Sequence, residues 1–422
     1  MRLALVGGQV IDGNGGGALP GATVVIEGSK ITEVSQHRDF GSEVQIINAA
    51  GKTVMPGLVD CHTHFAASLQ ILISRQEESL AYMSAQAAYS LKGCLEAGCT
   101  TARDMGGLAA GYRDAVEDGL IPGPRLQCAV AIIQPTNGLM DSLPGIGGAV
   151  SPQGLYATAP GLPTPWCDGP YEARRKVREV LRWGADLVKV ANEGVPFSNK
   201  SRPDRPLFTR EELEAIVDEA HRAAVPVACH AYSQEAVLMA VGAGVDSIEE
   251  GCFLDEVCAE EMAKHSTWYV PCLSNPRYFA EHLGHEESRT WQQRVVEGNR
   301  RAFTLAMAAG VPIAMGTDSV YAVGVTALEL QWMVEAGMTP MQAIETSTLR
   351  GAECAGLQEE IGTLEPGKEA DLLVVDGDPL RDIGVISQLD RLALVVKGGR
   401  AYSGTLLSQF PHSPSELPKY WL

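Results

Sequence analysis

The hydrophobic pattern divides the chain into two end segments and a middle section with a different rhythm. Alternating or β-branched runs near the start, such as LALVGGQVI, ATVVIEGSKITEV and VQIINAAGKTV, are separated by turn signals. The same texture returns near the end in ADLLVVDGDP and LALVVKGGRAYSG. These runs predict the short strands of a small sheet.

In the middle section, short apolar runs alternate with amphipathic helical stretches, which is the pattern of βα units and a parallel sheet. One helix is predicted from Glu211 to Ala224, with Thr209 as its N-cap and acidic residues in its first turn. The strand candidates are GLVDCHTH, CTTARDMG, RLQCAVAII, DLVKVAN, PVACHAYS, DSIEEGC, WYVPCLS and PIAMGTDS. Eight strands with helices between them predict an α/β fold closed into a (β/α)8 TIM barrel.

The region from Gln134 to Asp168 interrupts this rhythm. It is rich in proline and glycine and has no clear periodicity. We expect it to form a long loop over the mouth of the barrel, because loops of this length are usually functional or disordered.

Composition narrows the class of partner. The formal net charge is −19 over 422 residues, which argues against nucleic acid or an anionic membrane as a partner. No apolar stretch is long enough to span a bilayer, and the start of the chain lacks the apolar core of a secretory signal. The ten scattered cysteines contain no CxxC pair, so a reducing cytoplasm is the expected setting.

Two histidines end the first predicted barrel strand. His62 and His64 flank Thr63, and alternate side chains of a strand point the same way, so both imidazoles face the barrel interior. Two neutral imidazoles side by side suit a divalent transition metal, and ligands are expected at the carboxyl ends of barrel strands. The alternative is a pair of structural histidines.

Four more polar residues occupy equivalent strand ends: Lys189, His230, Glu250 and Asp318. Lys189 has apolar neighbours, and a lysine buried there without a partner would have its pKa shifted down. The alternative is that Lys189 pairs with Glu193 or extends to water. Each residue alone would more often be structural, whereas the aligned set indicates a metal-dependent site.

Longer motifs resemble the amidohydrolase superfamily, and within it the imidazolonepropionase-like and prolidase-like metal-dependent hydrolases. They are MPGLVDCHTH, GCTTARDMGG, GADLVKV, FTREELEAIVDEAHRAAVPVACHAYS, GTDS, TPMQAIETSTLRGAECAGL and IGTLEPGKEADLLVVDGDP. The resemblance covers nearly the whole chain. It implies one small β-sandwich built from residues 1–55 and 360–422, beside a catalytic barrel of residues 56–359.

The resemblance also implies a metal centre. In relatives, the lysine matching Lys189 is carboxylated, and its carbamate bridges two divalent ions. His62, His64 and Asp318 would hold the first ion, and His230 would hold the second, normally with another histidine on the sixth strand. Zinc is the expected ion, one or two per chain, with manganese or cobalt as alternatives because the ligands suit several metals.

The catalytic roles follow from metal chemistry. A metal-bound water is a usable nucleophile near neutral pH. Asp318 would act as the general base and pass the proton to the leaving nitrogen. Tyr232 shares the face of His230 and could donate its hydroxyl hydrogen to the developing oxyanion. The alternative for Tyr232 is a packing aromatic with a satisfied hydroxyl.

The sequence departs from the family on the sixth strand. Relatives commonly read SIEHG, and this chain reads SIEEG, with Glu250 in the place of the histidine. A carboxylate can ligate a divalent ion, so a two-metal site could survive. Equally, Glu250 could pair with a basic residue and leave the site mononuclear. We favour Glu250 as a ligand, because an unpaired carboxylate there would seek a cation.

A second departure concerns substrate recognition. Dipeptidase relatives often carry a Gly-Gly-His-Gly turn after the third strand, whereas this chain has QPTNG, in which Asn137 can bind substrate without carrying charge. After Asp318, the apolar segment with Tyr321 favours an uncharged or aromatic substrate. Further apolar residues expected around the pocket, or else packed on each other, are Val323, Val325, Phe65, Leu139, Met140 and Trp166.

These residues predict an enzyme that cleaves an amide-type C–N bond of a small molecule: an amide, N-acyl amino acid, urea or carbamate. One alternative is an Xaa-Pro-type dipeptidase, for which Arg277 is the candidate partner of a substrate carboxylate. The others are a cyclic-amide hydrolase or deaminase, and an inactive binding protein that keeps the fold. A homo-oligomer is expected by analogy with the family.

Overall fold

The structure is a computed structural model of the 422-residue chain. It describes residues 2–37, 39–66, 79–139, 162–194, 205–282, 286–319 and 326–410. The strands are β1 (Arg2–Val10), β2 (Leu19–Glu27), β3 (Lys30–Ser35), β4 (Val44–Asn48), β5 (Thr53–Pro56), β6 (Leu58–Thr63), β7 (Cys99–Asp104), β8 (Arg125–Cys128), β9 (Ile132–Ile133), β10 (Val188–Ala191), β11 (Val227–Ala231), β12 (Ser247–Glu250), β13 (Trp268–Val270), β14 (Leu372–Val375), β15 (Leu392–Lys397) and β16 (Arg400–Ser403).

Helices lie mainly between the strands of the middle section. They are α1 (Leu80–Glu96), α2 (Gly111–Glu117), α3 (Gly169–Arg182), α4 (Arg210–Arg222), α5 (Gln234–Ala243), α6 (Glu256–His265), α7 (Ser274–His282), α8 (Glu286–Ala309), α9 (Thr326–Glu335), α10 (Pro340–Thr346) and α11 (Leu349–Cys354). The predicted helix after Thr209 is α4, which begins one residue earlier and ends two residues earlier than expected. Thr209 caps it and forms a capping box with Glu212.

Strands from both ends of the chain pair in one mixed sheet. Its order is β16-β15-β14-β5-β1-β2-β3, and β4 pairs with β1 off this path. The central link is the antiparallel pairing of β14 with β5, which joins the two ends of the sequence. A separate apolar cluster covers this sheet and draws on both ends, including Leu3, Leu5, Leu372 and Phe410.

The middle section contains two parallel sheets with helices between their strands, so the chain has an α/β fold. One sheet has the order β6-β7-β8 and the other β13-β12-β11-β10-β9. The predicted strand RLQCAVAII is divided between β8 and β9, because Val130 takes a left-handed backbone conformation with a φ of +66°. The chain leaves one sheet and enters the other at this point.

The predicted eighth strand, PIAMGTDS, is extended backbone with isolated bridges rather than a regular strand. Ile313 bridges Tyr269 beside β13, and Ser319 bridges Thr63 at the end of β6. The Cys61 amide also donates to the Met315 carbonyl at 2.9 Å. Residues 313–319 therefore lie between β13 and β6, the outermost strands of the two parallel sheets.

The helices and the cysteines bear on the expectations that the chain has no membrane span and no disulfide framework. No helix among the described residues is long and apolar enough to cross a membrane. All ten cysteines lie in the described ranges, and all are free thiols.

Candidate metal centre

The donor atoms of three predicted ligands converge at the carboxyl end of β6. Asp318 Oδ1 lies 3.5 Å from His62 Nε2 and 3.3 Å from His64 Nε2. The ligand atoms of a tetrahedral zinc ion, each about 2.0–2.1 Å from the metal, lie about 3.3 Å apart. Both histidines are buried, and the described residues give His62 Nε2 no hydrogen-bond partner. The three donor atoms all lie within 4.8 Å of one another, which is close enough to hold a divalent ion.

The other ring nitrogen of each histidine is fixed by an acceptor. His62 Nδ1 lies 2.9 Å from Glu249 Oε2, and His64 Nδ1 lies 3.1 Å from the Gly106 carbonyl oxygen. A carboxylate or carbonyl only accepts, so each Nδ1 carries the hydrogen and each Nε2 presents a lone pair. Burial lowers the pKa of His62 and lowers the pKa of His64 to about 3. Both imidazoles are therefore neutral near pH 7, as metal ligands must be.

Asp318 is held in place through its own backbone and by one amide side chain. Its φ is +49°, and its amide donates to the His62 carbonyl at 2.7 Å. Asn275 donates to Asp318 Oδ2 at 2.5 Å, which leaves Oδ1 directed at the two histidines. Burial and the nearby Glu250 carboxylate raise the pKa of Asp318, although Lys189 opposes this.

The remaining predicted ligands form a second group next to the first. Glu250 Oε1 lies 3.7 Å from His62 Nε2 and 3.9 Å from Lys189 Nζ, while its Oε2 lies 2.9 Å from His230 Nδ1. Three buried atoms of this group, Lys189 Nζ, His230 Nε2 and Glu250 Oε2, have no aligned hydrogen bond among the described residues. Glu250 thus lies within 4 Å of His62, His230 and Lys189 in one buried cluster.

Glu250 occupies the centre of this arrangement with a strained backbone. Its φ is +64°, which is uncommon for a residue with a Cβ atom and clusters at functional sites. Burial alone would raise the pKa of Glu250, but His230 and Lys189 outweigh this effect and lower the pKa below its usual value. Glu250 is therefore an anion that contacts members of both groups.

Tyr232 stands beside His230, as the alternation of β11 predicted. The two ring centroids are 4.6 Å apart, with the planes tilted by 55°. Burial raises the pKa of Tyr232, so its hydroxyl keeps its proton and can donate. Glu193 accepts hydrogen bonds from the backbone amides of Tyr232 and Ser233 and so fixes this turn.

Several supporting residues were not identified from the sequence. Arg103 on β7 donates to Glu249 at 3.0 Å, and Glu249 in turn binds His62. Asp60 accepts the His62 amide and the Thr317 hydroxyl, which ties β6 to the segment that carries Asp318. Arg103 lies in GCTTARDMGG, and Glu249 directly precedes Glu250. Both residues therefore lie in the family motifs, but the motifs do not show that Arg103 pairs with Glu249 or that Glu249 pairs with His62.

The structure describes some of the predicted substrate-binding residues and not others. Asn137 is exposed, and its turn is anchored where Thr136 donates through both its amide and its hydroxyl to Asp168. Arg277 lies 3.0 Å from Glu335 and stacks over Trp332, so its charge is matched on the protein. Four predicted pocket residues lie outside the described residues: Met140, Tyr321, Val323 and Val325.

Comparisons with known proteins agree with this geometry. The model of the amidohydrolase family matches residues 53–402. Ochratoxinase from Aspergillus niger is 34% identical over 365 residues, which are 83% of this chain and 76% of that protein. The crystal structure of A. niger ochratoxinase has a TM-score of 0.84 at 31% identity and covers 96% of each chain.

Solved dipeptidase structures are equally similar. A prolidase complexed with N-methylphosphonate-L-proline has a TM-score of 0.87 at 31% identity, with 95% of this chain and 99% of that chain covered. A Xaa-Pro dipeptidase with bound methionine in its active site has a TM-score of 0.86 at 30% identity, with 96% and 100% covered.

Proposed function

The chain belongs to the amidohydrolase family and is a metal-dependent hydrolase of amide C–N bonds, and from that premise we propose that its substrate is a small N-acyl amino acid with an apolar or aromatic group. The observation that carries the chemistry is the convergence of His62, His64 and Asp318 at the spacing of metal ligands. An inactive binding protein has no need of such a set beside a buried lysine.

We assign two divalent ions, most simply zinc, to this centre. His62, His64 and Asp318 would hold the first ion, and His230 and Glu250 the second, with a carboxylated Lys189 between them. The absence of a hydrogen bond to Lys189 Nζ among the described residues supports this assignment, because a buried polar atom without one is rare and a carbamate on that atom would bind the ions directly. When bound, the ions would supply an activated water and polarise the scissile carbonyl.

The protein's own residues complete the reaction. Asp318 accepts the proton of the attacking water and delivers it to the leaving nitrogen, and Asn275 keeps its carboxylate oriented. Tyr232 donates its hydroxyl hydrogen to the carbonyl oxygen as negative charge develops there. The orientation of the histidines by Glu249 and Gly106 keeps each Nε2 directed at the centre.

The substrate class rests on the two kinds of relative. Ochratoxinase and prolidase both cleave amide bonds, and N-methylphosphonate-L-proline is an amino acid whose nitrogen carries a tetrahedral phosphonyl group in place of an acyl group. We assign Asn137 and Tyr321 to substrate contacts. Because Arg277 is already paired with Glu335, we favour recognition through apolar surface and neutral polar groups over a salt bridge from Arg277.

The barrel and the β-sandwich are also part of our proposal. We infer that residues 313–319 close the two parallel sheets into a (β/α)8 barrel over residues 56–359, with residues 1–55 and 360–422 forming a β-sandwich. The bridges of Ile313 and Ser319 to opposite outer strands support closure. A homo-oligomeric state and a cytoplasmic setting stay predictions.

A substrate panel tests the proposed function. Purified enzyme, supplied with zinc and bicarbonate, is assayed against ochratoxin A, N-acetyl-L-phenylalanine, N-acetyl-L-aspartate, Phe-Pro and a phenylurea. We expect the N-acyl-phenylalanine or ochratoxin to have the highest kcat/KM, and Asp318→Asn to abolish hydrolysis. Preference for Phe-Pro would favour the dipeptidase, which the prolidase similarity makes the second candidate. No hydrolysis of any amide would refute the proposal.

A further inference from the structure

A buried ion pair lies directly behind the first metal position. Glu249 and Arg103 are 0% and 2% exposed, and Arg103 Nη2 donates to Glu249 Oε1 at 3.0 Å. Ser247 donates to the same oxygen at 2.6 Å, so Oε1 has two donors and Oε2 is left for His62 Nδ1 at 2.9 Å. Each oxygen of the carboxylate thus has a defined partner.

The pair joins three strands at the level of His62. Glu249 belongs to β12 and Arg103 to β7, while Arg103 Nε donates to the carbonyl of Cys61 on β6 at 2.8 Å. The residue that follows Cys61 is His62 itself. Arg103 therefore fixes both the carboxylate that His62 binds and the backbone that carries His62.

We propose that the Arg103–Glu249 pair is a positioning device that holds His62 as its Nδ1–H tautomer, with Nε2 aimed at the first metal ion, and thereby sets the occupancy of that ion. This inference rests on the metal centre of the proposed function. The carboxylate partner of a histidine ligand fixes ring orientation and raises basicity, and its loss typically lowers metal affinity about 10- to 100-fold.

Packing alone does not explain the pair. Buried ion pairs contribute little net stability, and apolar residues of similar volume often replace them without loss. Here the arrangement ends on a ring whose other nitrogen has no hydrogen bond among the described residues and lies 3.5 Å from Asp318 Oδ1. Hydrogen bonds that saturate one carboxylate oxygen and direct the other at a ligand ring are what an orienting role requires.

The test combines two measurements with two Glu249 variants, a matched control and one variant for signal assignment. Glu249→Gln removes the charge but keeps an acceptor, and Glu249→Gln combined with Arg103→Met also removes the buried cation, so that folding is protected. Glu219→Gln is the matched control, because Glu219 is a buried carboxylate paired with Arg178 away from the centre. Zinc per chain is titrated against a chelator, and histidine tautomers are read by 15N NMR of the metal-free proteins.

We expect both Glu249 variants to bind the first ion about 10- to 100-fold more weakly than wild type and the Glu219→Gln control. In the metal-free state, His62 should be the Nδ1–H tautomer in wild type and a mixture in the variants, with His62→Gln assigning its signal. An unchanged tautomer, or a changed tautomer with unchanged zinc affinity, would overturn the inference. A wild-type protein that binds no zinc would refute the proposed function. The His62 tautomer in the metal-free proteins would still show whether the Arg103–Glu249 pair positions the ring.

Discussion

The side-chain amide of Asn275 donates to Oδ2 of Asp318 at 2.5 Å and to its backbone carbonyl at 2.8 Å. Two hydrogen bonds from one amide fix both the carboxylate and the left-handed backbone of the proposed general base. Asp318 is thereby left with one oxygen, Oδ1, that faces His62 and His64. We propose that proton transfer by Asp318 depends on this separation of its two oxygens.

Removing this amide should slow the reaction more than it weakens binding. We expect Asn275→Ala to lower kcat about 10- to 100-fold, equivalent to about 1.4–2.7 kcal/mol, because the base is less often oriented for proton transfer. The matched control is Asn48→Ala, in which an asparagine of the mixed sheet loses its bond to the Ala50 amide. Steady-state kinetics on the best amide substrate give the comparison. Equal kcat values for Asn275→Ala and wild type would rule out this role.

Glu250 should be required for the second ion. Glu250→Ala is expected to reduce the metal content from two ions per chain to one, because His230 and the Lys189 carbamate alone would form a weak site. Glu250→His should restore two ions and favour zinc over manganese, since imidazole suits zinc and carboxylate suits harder ions. Mass spectrometry of metals, with Glu261→Ala as a surface control, makes the measurement. Two ions in Glu250→Ala would show that Glu250 is not a ligand.

Lys189 should be the lysine that carries a carboxyl group when metal and bicarbonate are present. With 13C-labelled bicarbonate and zinc, we expect one carbamate signal in the 13C NMR spectrum that disappears in Lys189→Met. Lys176→Met is the matched control, because Lys176 is equally buried but is bound by Thr164 and Glu179. A signal that survives in Lys189→Met, or no signal in wild type, would contradict a carboxylated Lys189.

A buried carboxyl group outside the centre gives a prediction about pH. Glu329 accepts the backbone amides of Leu273 and Ser274, and burial raises its pKa from 4.5 to about 7. The folded state thus binds a proton more readily than the unfolded state. Its contribution to stability is complete below pH 4.5 and is lost as the pH rises through 7.

The Glu329→Gln variant has no carboxyl group at this position that could bind or release a proton. Between pH 4.5 and 7, the free energy of unfolding of wild type should fall by up to about 3 kcal/mol relative to the variant. Urea unfolding of both proteins in the same chelating buffers measures the difference, and other buried acids cancel in the comparison. Parallel curves for the two proteins would contradict the raised pKa.

The sequence predicted the parts of the site that depend on local pattern. His62 and His64 share a face because strands alternate, and the structure brings both to Asp318. The N-cap of α4 was readable for the same reason, since Thr209 and Glu212 are three residues apart. Periodicity and capping act over a few residues, so the sequence expresses them directly.

Positions that depend on the backbone of other segments could not be predicted. Alternation along β12 would send Glu249 and Glu250 to opposite faces, yet the left-handed backbone at Glu250 lets both approach His62. The roles of Arg103 and Asn275 arise from contacts far apart in the sequence. Val130 similarly divides a run that hydrophobicity alone presents as one strand.

The measurement that tests the central claim most directly is metal content against hydrolysis in the wild-type enzyme. Chelated protein is titrated with zinc in the presence of bicarbonate, and bound zinc and the rate of amide hydrolysis are measured on the same samples. We predict saturation at two ions per chain, with hydrolysis rising as they bind. A protein that binds no zinc, manganese or cobalt, or one that hydrolyses amides equally well without metal, would contradict the account.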